Sequence, residues 1–314
     1  MDTVARSRRH PLLPLAAAAL LVATLPAPAG AAVTVPGAPE CPVLPASNVW
    51  NRRVDGLPVH PDSARLRATI GLDAPLHPDF SDADADGYGI PWQLVGAATP
   101  RHVVDFVEYG DESDAGPYPI PADPAIEGGS DRHLITVDRS SCTLYELYHA
   151  EPDGSAGWTA GSGAIWSLTS NALRPRGWTS ADAAGLPIFP GLVRYEEVAA
   201  GAIRHALRFT APETRRAFIY PARHFASSRT GTEYPPMGLR VRLKRSVDIR
   251  GFPPQSRVIL RALKRYGMLL ADNGSAWYVT GAPHRGWDDD DLHSLHAITG
   301  SDLEVVDTRG LRNG

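Results

Sequence analysis

The chain has 314 residues, with 31 Lys and Arg, 35 Asp and Glu and a formal charge of −4. This mildly acidic balance argues against general nucleic-acid binding, because a protein that holds phosphate backbones needs a basic face to displace their counterions. The length is enough for one large sandwich or barrel, or for two small domains, and we favour one.

Residues 1–31 have the composition of an export signal, with a basic start, an apolar run over 12–25 and small residues at 29–31. Pro14 breaks the run, which is too short to cross the roughly 30 Å core of a bilayer. Cleavage would remove three Arg and one Asp, which moves the formal charge from −4 to −6. We therefore expect a secreted, extracellular monomer with no membrane span and no nucleic-acid partner.

The next segment, residues 32–60, begins Pro-rich and predicts an extended N-terminal arm. No Ser/Gly/Pro linker divides residues 61–314, which predicts a single domain there. Cys41 and Cys142 are the only two cysteines, and in an exported protein they favour a disulfide that ties the arm to a central strand. Two separate buried thiols are the alternative.

An acidic loop follows the arm and has the D-x-D-x-D-G order of a calcium loop, with carboxylates at Asp82, Asp84 and Asp86. Position twelve of that pattern is Gln93 instead of the bidentate Glu, and no helical pattern precedes the loop. The sequence therefore predicts either a weak extracellular calcium site or a solvated acidic turn. No cofactor is required for the chemistry considered below.

Short runs of alternating apolar and polar residues then recur along the chain, bounded by Gly, Pro, Asp and Ser. They cover residues 103–109, 133–138, 142–149, 163–168, 203–210, 217–221, 238–244 and 303–306. Regular short strands with turn signals between them predict a mostly β chain folded as a single β-sandwich or jelly roll.

Two short helices are predicted near the C-terminus. One covers about 254–266, with an apolar stripe and Gly267 just beyond its end, and the other covers 289–298, where Asp288 or Asp289 can cap. Between them, Asn273-Gly274 is a strong β-hairpin signal, and Asp272 beside it is interpreted as a turn former.

Four residues are candidates for catalysis. Alternation places His205 on the apolar face of its predicted strand, His133 on the apolar face of another, and Glu146 on an otherwise apolar and aromatic face. A carboxyl in that setting is paired, hydrogen-bonded or raised in pKa, and the last is what a general acid requires. His224 follows a strand and suits the rim of a groove. The alternatives are a packed core histidine and an internal ion pair for Glu146.

Substrate contacts are expected from the long polar loop over 161–195, where Trp166 and Trp178 offer flat faces on which sugar rings can stack. Both rings could equally be core residues of a β-sandwich. Arg204 and Arg208 could neutralise the carboxylate of a uronic acid. The G-x-S-x-G, H-E-x-x-H, P-loop and G-x-G-x-x-G motifs are all missing from the sequence, which disfavours serine hydrolases, zincins, kinases and dehydrogenases.

Long motifs such as SNALRPRGWTSADAAGLPI, HALRFT, PPMGLRVRLK and ALKRYGMLLADNGS span nearly the whole chain after the signal. Together they resemble a family of exported bacterial proteins to which no activity is assigned, so the resemblance carries over no catalytic residue. The ALKRYGMLLADNG segment also looks like parts of jelly-roll proteins that act on polysaccharides, which is an analogy of fold.

These observations lead to one principal hypothesis, a secreted carbohydrate-active enzyme that cleaves glycosidic bonds of a polysaccharide. A hydrolase would use Glu146 as the acid, with a second carboxylate roughly 5 to 9.5 Å away. A lyase would use a histidine as the base. The alternative functions are a non-catalytic carbohydrate- or cell-wall-binding protein and a structural surface protein.

Overall fold

Strands outnumber helices in the computed structural model, which describes Met1 and residues 33–84, 88–154 and 157–312. The strands, in chain order, are β1 (Thr34–Val35), β2 (Ala38–Pro42), β3 (His77–Asp79), β4 (Trp92–Val95), β5 (Arg101–His102), β6 (Val104–Phe106), β7 (Tyr118–Pro119), β8 (Leu134–Asp138), β9 (Thr143–Tyr148), β10 (Glu151–Pro152), β11 (Trp158–Ala160), β12 (Ser162–Ser167), β13 (Leu207–Ala211), β14 (Arg240–Leu243), β15 (Met268–Asn273), β16 (Tyr278–Thr280) and β17 (Leu303–Val305). The helices are α1 (Ser63–Ile70), α2 (Tyr195–Ala199), α3 (Pro254–Arg265) and α4 (Asp289–His293). The mostly β composition is thus confirmed.

Two sheets carry most of the architecture. The larger has six strands in the order β17-β14-β15-β13-β16-β3, and the other has four in the order β12-β9-β8-β4. The pairing is mixed, because β13–β15, β16–β3, β4–β8 and β11–β6 are parallel. A jelly roll consists of antiparallel strands, so this mixed pairing differs from the arrangement that the short alternating runs predict.

The predicted hairpin at Asn273-Gly274 is wrong, because its two arms do not pair with each other. Strand β13 lies between β15 and β16, and Phe209 pairs with Leu270 on one side and with Val279 on the other. Neighbouring strands are about 4.8 Å apart, so the connection after Asn273 must span about twice that distance. The Asn273-Gly274 signal is local, so it cannot predict that β13, from a distant part of the chain, lies between the two arms.

Most of the alternating runs form strands close to their predicted bounds, as β8, β9, β12, β14 and β17 show. Two predictions differ from the structure. Residues 217–221 contribute only an isolated bridge from Phe218 to Met237. Strand β13 begins at Leu207, so His205 precedes the strand and the face assigned to it by alternation does not apply.

Both predicted C-terminal helices are present, and α4 caps α3. The two carboxylate oxygens of Asp291 accept the backbone N–H groups of Gln255 and Ser256, each at 2.8 Å. These are donors of the first turn of α3, which the helix itself leaves without partners. Asp288 caps α4 in turn by accepting the N–H of Asp291 at 3.0 Å. Helices α1 and α2 were not predicted, since they are short.

The main apolar core includes residues of both large sheets. It contains Ile135 and Leu144 of the four-stranded sheet together with Phe209 and Leu269 of the six-stranded sheet. The outer face of the four-stranded sheet is covered as well, by a second cluster that includes Leu147. The four-stranded sheet is therefore buried on both faces.

The N-terminal segment is part of this core, since Val43, Val49 and Trp50 are buried in the main cluster. The predicted disulfide is confirmed, and Cys41 in β2 is bonded to Cys142 just before β9. Residues 2–32, which include most of the predicted signal, lie outside the described residues. In the part of the chain that is described, no helix has both the length and the apolar character needed to cross a membrane.

Candidate functional site

A cavity of about 280 Å³ lies where loops from both large sheets meet. Its wall includes Tyr148, Asp182, Ala183, His224, Asp272 and Asn273. We call it the acid cavity, because two carboxyl groups stand together in its wall.

The strand register explains why these groups converge. Ser162 at the start of β12 is opposite Tyr148 at the end of β9, and His133 immediately precedes β8, so all three lie at one edge of the four-stranded sheet. Asp272 stands one residue before the end of β15 in the six-stranded sheet. The side chains that bound the cavity therefore come from the ends of strands in two different sheets.

The loop over residues 179–185 connects these two edges. The hydroxyl of Ser162 donates to the carbonyl of Ser180 at 2.7 Å, which fixes the loop to the four-stranded sheet. The N–H of Ala184 donates to the carbonyl of Ala271 at 2.9 Å, which fixes it to β15. Asp182 lies between these two attachments.

A glycine is required where this loop turns. Gly185 has φ +65, and its N–H donates to the carbonyl of Asp182 at 3.0 Å. A Cβ at this position would lie 2.5 Å from the carbonyl oxygen of Trp178. The loop is therefore fixed in a conformation that only glycine tolerates without strain.

Asp182 is held by an arginine inside the protein. Nη2 and Nε of Arg208 approach its two carboxyl oxygens at 3.0 Å and 3.3 Å, and Nη1 of Arg208 donates to the hydroxyl of Thr280 at 2.7 Å. The Asp182 side chain has no exposed surface. This two-point contact orients the carboxyl group, since the planar guanidinium matches its geometry.

Asp272 is the partly exposed member of the carboxyl pair. The carboxyl groups of Asp272 and Asp182 interact, and this interaction raises the pKa of Asp182. The oxygens of Asp272 accept the N–H of Asn273 at 2.7 Å and the N–H of Ala183 at 3.3 Å. These two backbone donors orient the carboxyl group in the cavity wall.

Burial raises the pKa of Asp182 to about 8, and the neighbouring Asp272 raises it further while Arg208 opposes the change. Two carboxyl groups in contact cannot both ionise easily. Asp182 is therefore the member of the pair that keeps its proton at neutral pH.

His224, a predicted catalytic residue, also lines the acid cavity. Its Nδ1 is 2.8 Å from the carbonyl oxygen of Ala183. A carbonyl can only accept, so Nδ1 carries the hydrogen, and Nε2 of the neutral ring has the lone pair. Nε2 lies 4.0 Å from a carboxylate oxygen of Glu112. The ring is thus oriented so that it can accept a proton at Nε2.

His133 supports the same loop from behind. Its Nε2 donates to the carbonyl of Ala181 at 3.0 Å, and its Nδ1 makes a short hydrogen bond to the carboxylate of Glu127. Burial alone would lower the pKa of His133, but the hydrogen bond and charge of Glu127 outweigh it and raise the pKa. His133 is 4% exposed, which suits a buried cation that positions the loop.

Three predicted site residues thus contact three consecutive residues of one loop. His133 contacts Ala181, Arg208 contacts Asp182, and His224 contacts Ala183. Sequence analysis selected each of them separately. The structure brings them together at the acid cavity.

Two further depressions adjoin the acid cavity through shared lining residues. The middle depression, about 500 Å³, shares Asp131 with the acid cavity. The distal depression, about 430 Å³, shares Asp79 and Tyr88 with the middle one. We refer to the three together as the groove, and its lining includes Tyr109, Tyr148, Tyr88 and Tyr278.

Glu146 is positioned away from this groove. It is fully buried, and its carboxylate accepts the N–H groups of Ile188 and Phe189 and the indole N–H of Trp166. Burial raises its pKa to about 7, although these donors oppose the change. Its contacts are those of a group that fixes the polar loop to β9. The variant Glu146→Gln tests its predicted role as the acid.

His205 and its predicted neighbour Arg204 also lie apart from the groove. His205 has no exposed surface, and its Nε2 lies 2.8 Å from Nη2 of Arg194 and 2.9 Å from Oε2 of Glu197. Its Nδ1 donates to the carbonyl of Ala206. Arg204 is exposed. The predicted floor of a groove at His205 is a packed internal cluster in the structure.

The two predicted sugar-stacking tryptophans do not line the groove. Trp166 is 8% exposed and Trp178 is partly buried. The guanidinium of Arg174 lies 5.6 Å from the ring centroid of each. Tyrosines, histidines and Phe80 supply the aromatic rings of the groove instead.

The acidic loop is only partly described, since Asp86 lies outside the described residues. The N–H of Asp84 donates to Asp82 at 2.9 Å, and Asp84 pairs with Arg285 at 3.1 Å. Within the described ranges, no group of three or more His, Cys, Asp or Glu side chains is arranged to hold a metal ion. The calcium site stays a prediction.

No role for Asp182 was predicted from the sequence, and Asp272 was interpreted first as a turn former, with a functional role as the alternative. One signal was available for each. Asp182 is the only acid in the apolar stretch 181–190 of the long loop, and Asp272 follows the apolar run over 268–271. An acid at the end of a buried strand can reach a site where the strands of the sheet end. The local sequence does not show that Asp182 and Asp272 are partners.

Comparison with protein-family models, with curated proteins and with solved structures found no match to this chain.

Proposed function

We propose that the protein is a secreted carbohydrate-active enzyme that hydrolyses glycosidic bonds of a polysaccharide in this groove. The observation that carries the proposal is the carboxyl pair Asp182–Asp272 in the wall of the acid cavity, where the pKa of Asp182 is raised to about 8. Protonation of the glycosidic oxygen is the central requirement of glycoside hydrolysis, and it needs a carboxyl group that is still protonated near neutral pH.

The residues of the groove favour hydrolysis over elimination. A lyase that acts on uronates needs a cation to neutralise the substrate carboxylate. Among the described residues that line the three depressions there is no Arg or Lys. Arg208, the predicted candidate, is already paired with Asp182, and Arg204 lies outside the lining.

In the proposed reaction, the proton of the carboxyl pair passes through Asp272 to the glycosidic oxygen, and the bond from that oxygen to the anomeric carbon breaks. A water molecule attacks the anomeric carbon and gives one proton to Nε2 of His224. The proton on His224 and the proton lost by the pair are then exchanged with solvent. Asp182, Arg208 and His133 act as positioning residues.

Two features support the extracellular location and the β-sandwich architecture. The disulfide between Cys41 and Cys142 suits the oxidising environment outside the cell. The shared core of the two large sheets supports a β-sandwich in which their inner faces pack together.

The direct test is to incubate the mature protein with a panel of neutral and uronate polysaccharides. New reducing ends without unsaturated uronate absorbance support the hydrolase. Unsaturated products would show a lyase. Binding without any product would instead identify a non-catalytic carbohydrate-binding protein.

A further inference from the structure

The distal depression contains a stack of three rings. The ring of His77 lies 4.0 Å from that of Tyr278 with an angle of 24° between their planes, and 5.0 Å from that of His296 at 16°. His293 packs edge-on against His296 at 4.5 Å. The three rings are therefore held nearly parallel, and all of them line the depression.

These rings are fixed by polar contacts as well as by stacking. Nδ1 of His77 and Nε2 of His296 are 2.9 Å apart, so one ring donates a hydrogen to the other. Burial lowers the pKa of both histidines, and each is a neighbour of another imidazole that opposes its protonation. The pair is therefore uncharged at neutral pH, and it offers neutral donors and acceptors to hydroxyl groups.

The wall of the distal depression combines apolar and hydrogen-bonding surface. Tyr88 is 62% exposed at its entrance. Asp79 and Asp289 add carboxyl oxygens, and no cationic Arg or Lys is among the described lining residues. Flat rings with nearby acceptors suit the apolar face and the hydroxyls of an uncharged sugar, and they disfavour an anionic one.

We propose that the distal depression is a second binding subsite, which holds a neutral sugar residue of the same polysaccharide several units from the bond that is cleaved. This inference rests on the proposed function of the acid cavity. Continuity supports it, because Asp79 and Tyr88 border the middle depression and Asp131 joins that depression to the acid cavity. A chain that occupies both ends is cleaved internally.

The experiment measures binding and cleavage separately. Isothermal titration calorimetry at pH 7 uses the hexamers and dimers of a β-1,4-glucan, a β-1,4-linked N-acetylglucosamine chain and an α-1,4-glucan. The variants Tyr278→Ala and Tyr88→Ala remove rings of the distal subsite. Tyr234→Ala is the matched control, because this partly buried tyrosine lines none of the three depressions.

We expect Tyr278→Ala and Tyr88→Ala each to weaken hexamer binding roughly fivefold, the loss of one aromatic contact, and to leave dimer binding at the acid cavity unchanged. The control should match the wild type. Hexamer affinity that is the same in both variants and the wild type, or the failure of every hexamer to bind, would overturn the distal subsite.

Measurements of cleavage show whether the distal subsite or the hydrolase proposal is wrong. If Asp272→Asn abolishes turnover while Tyr278→Ala leaves both hexamer affinity and hexamer kcat/KM unchanged, the acid cavity is catalytic and the distal subsite is wrong. If hexamers bind and lose affinity on Tyr278→Ala but no glycan is cleaved, the subsite stands as a binding site and the hydrolase is wrong.

Discussion

The carboxyl group of Asp182, buried against Arg208, lies beside that of Asp272 in the wall of the acid cavity, and Asp272 contributes to its raised pKa. The two residues divide the requirements of an acid catalyst. The buried Asp182 keeps the proton. Asp272, which is partly exposed, is the carboxyl group through which that proton can reach a substrate. The consequences can be tested residue by residue.

Asp272→Asn should lower turnover of a cleaved polysaccharide by roughly 100-fold or more, because a positioned general acid contributes about that much. The amide oxygen replaces only one of the two acceptor oxygens, so one backbone N–H loses its acceptor and we expect a loss of about 1 kcal/mol in unfolding free energy at this partly exposed site. Release of reducing ends measures turnover, and thermal unfolding verifies the fold. Asp123→Asn is the matched control, since Asp123 is exposed and lines none of the depressions. Full activity in Asp272→Asn would remove the residue from the mechanism.

His224→Ala should lower kcat by roughly tenfold to 100-fold, because water would lose the base that accepts its proton. Added imidazole should restore part of that activity, since a small base can occupy the space that the side chain leaves. A merely structural role would give no rescue. The measurement is kcat with and without imidazole, with His102→Ala as a control away from the groove lining.

Arg208→Met should lower the free energy of unfolding by roughly 3 to 5 kcal/mol, because it leaves the buried Asp182 without its charge partner. Asp182→Asn added to Arg208→Met should recover part of this loss, since the unpaired carboxyl is then gone. Urea unfolding of the two single variants and the double variant measures the coupling. Losses that simply add would mean that the ion pair has no energetic role.

Stability should fall as the pH rises from about 5 to about 8. The folded-state pKa of Asp182 is raised to about 8 and that of Glu146 to about 7, and that of His133 is raised above its usual 6.5. A raised folded-state pKa gives stability that is complete below the unfolded pKa and is lost as pH rises through the folded pKa. We expect a loss on the order of 2 kcal/mol, measured by urea unfolding at constant ionic strength. Stability that rises over this range would contradict the assignment.

Glu146→Gln separates the two candidate acids. The amide nitrogen of Gln would face the indole N–H of Trp166 or a backbone N–H, so one donor would lose its acceptor. We expect a loss of about 1 to 3 kcal/mol in unfolding free energy and little change in kcat per folded molecule. A kcat that falls as far as in Asp272→Asn would instead support Glu146 as the acid.

Sequence could predict what depends on neighbouring residues. Alternation located β8, β9 and β14, the acids of 288–291 predicted the cap of α4, and the two cysteines predicted their bond. The position of β13 between β15 and β16 could not be predicted, because it depends on pairing between segments far apart in the chain.

The same limit applies to the site. The sequence predicts His133 from its place on an apolar strand face, His224 as a residue of a groove rim and Arg208 as a partner of a uronate carboxylate, and all three contact the loop over 179–185. The contact between Asp182 and Asp272 joins the long loop to the end of β15. Nothing local marks that contact, so the sequence pattern favours Glu146 as the acid.

The insertion of β13 between β15 and β16 also has a kinetic consequence. The centre of the six-stranded sheet consists of pairings between distant segments, and proteins dominated by such pairings fold slowly. Asp272 lies in β15, and Arg208, which holds Asp182, stands on β13. The chain therefore gains its acid pair only when these central strands have joined, so the onset of activity in a refolding time course should coincide with completion of the sheet.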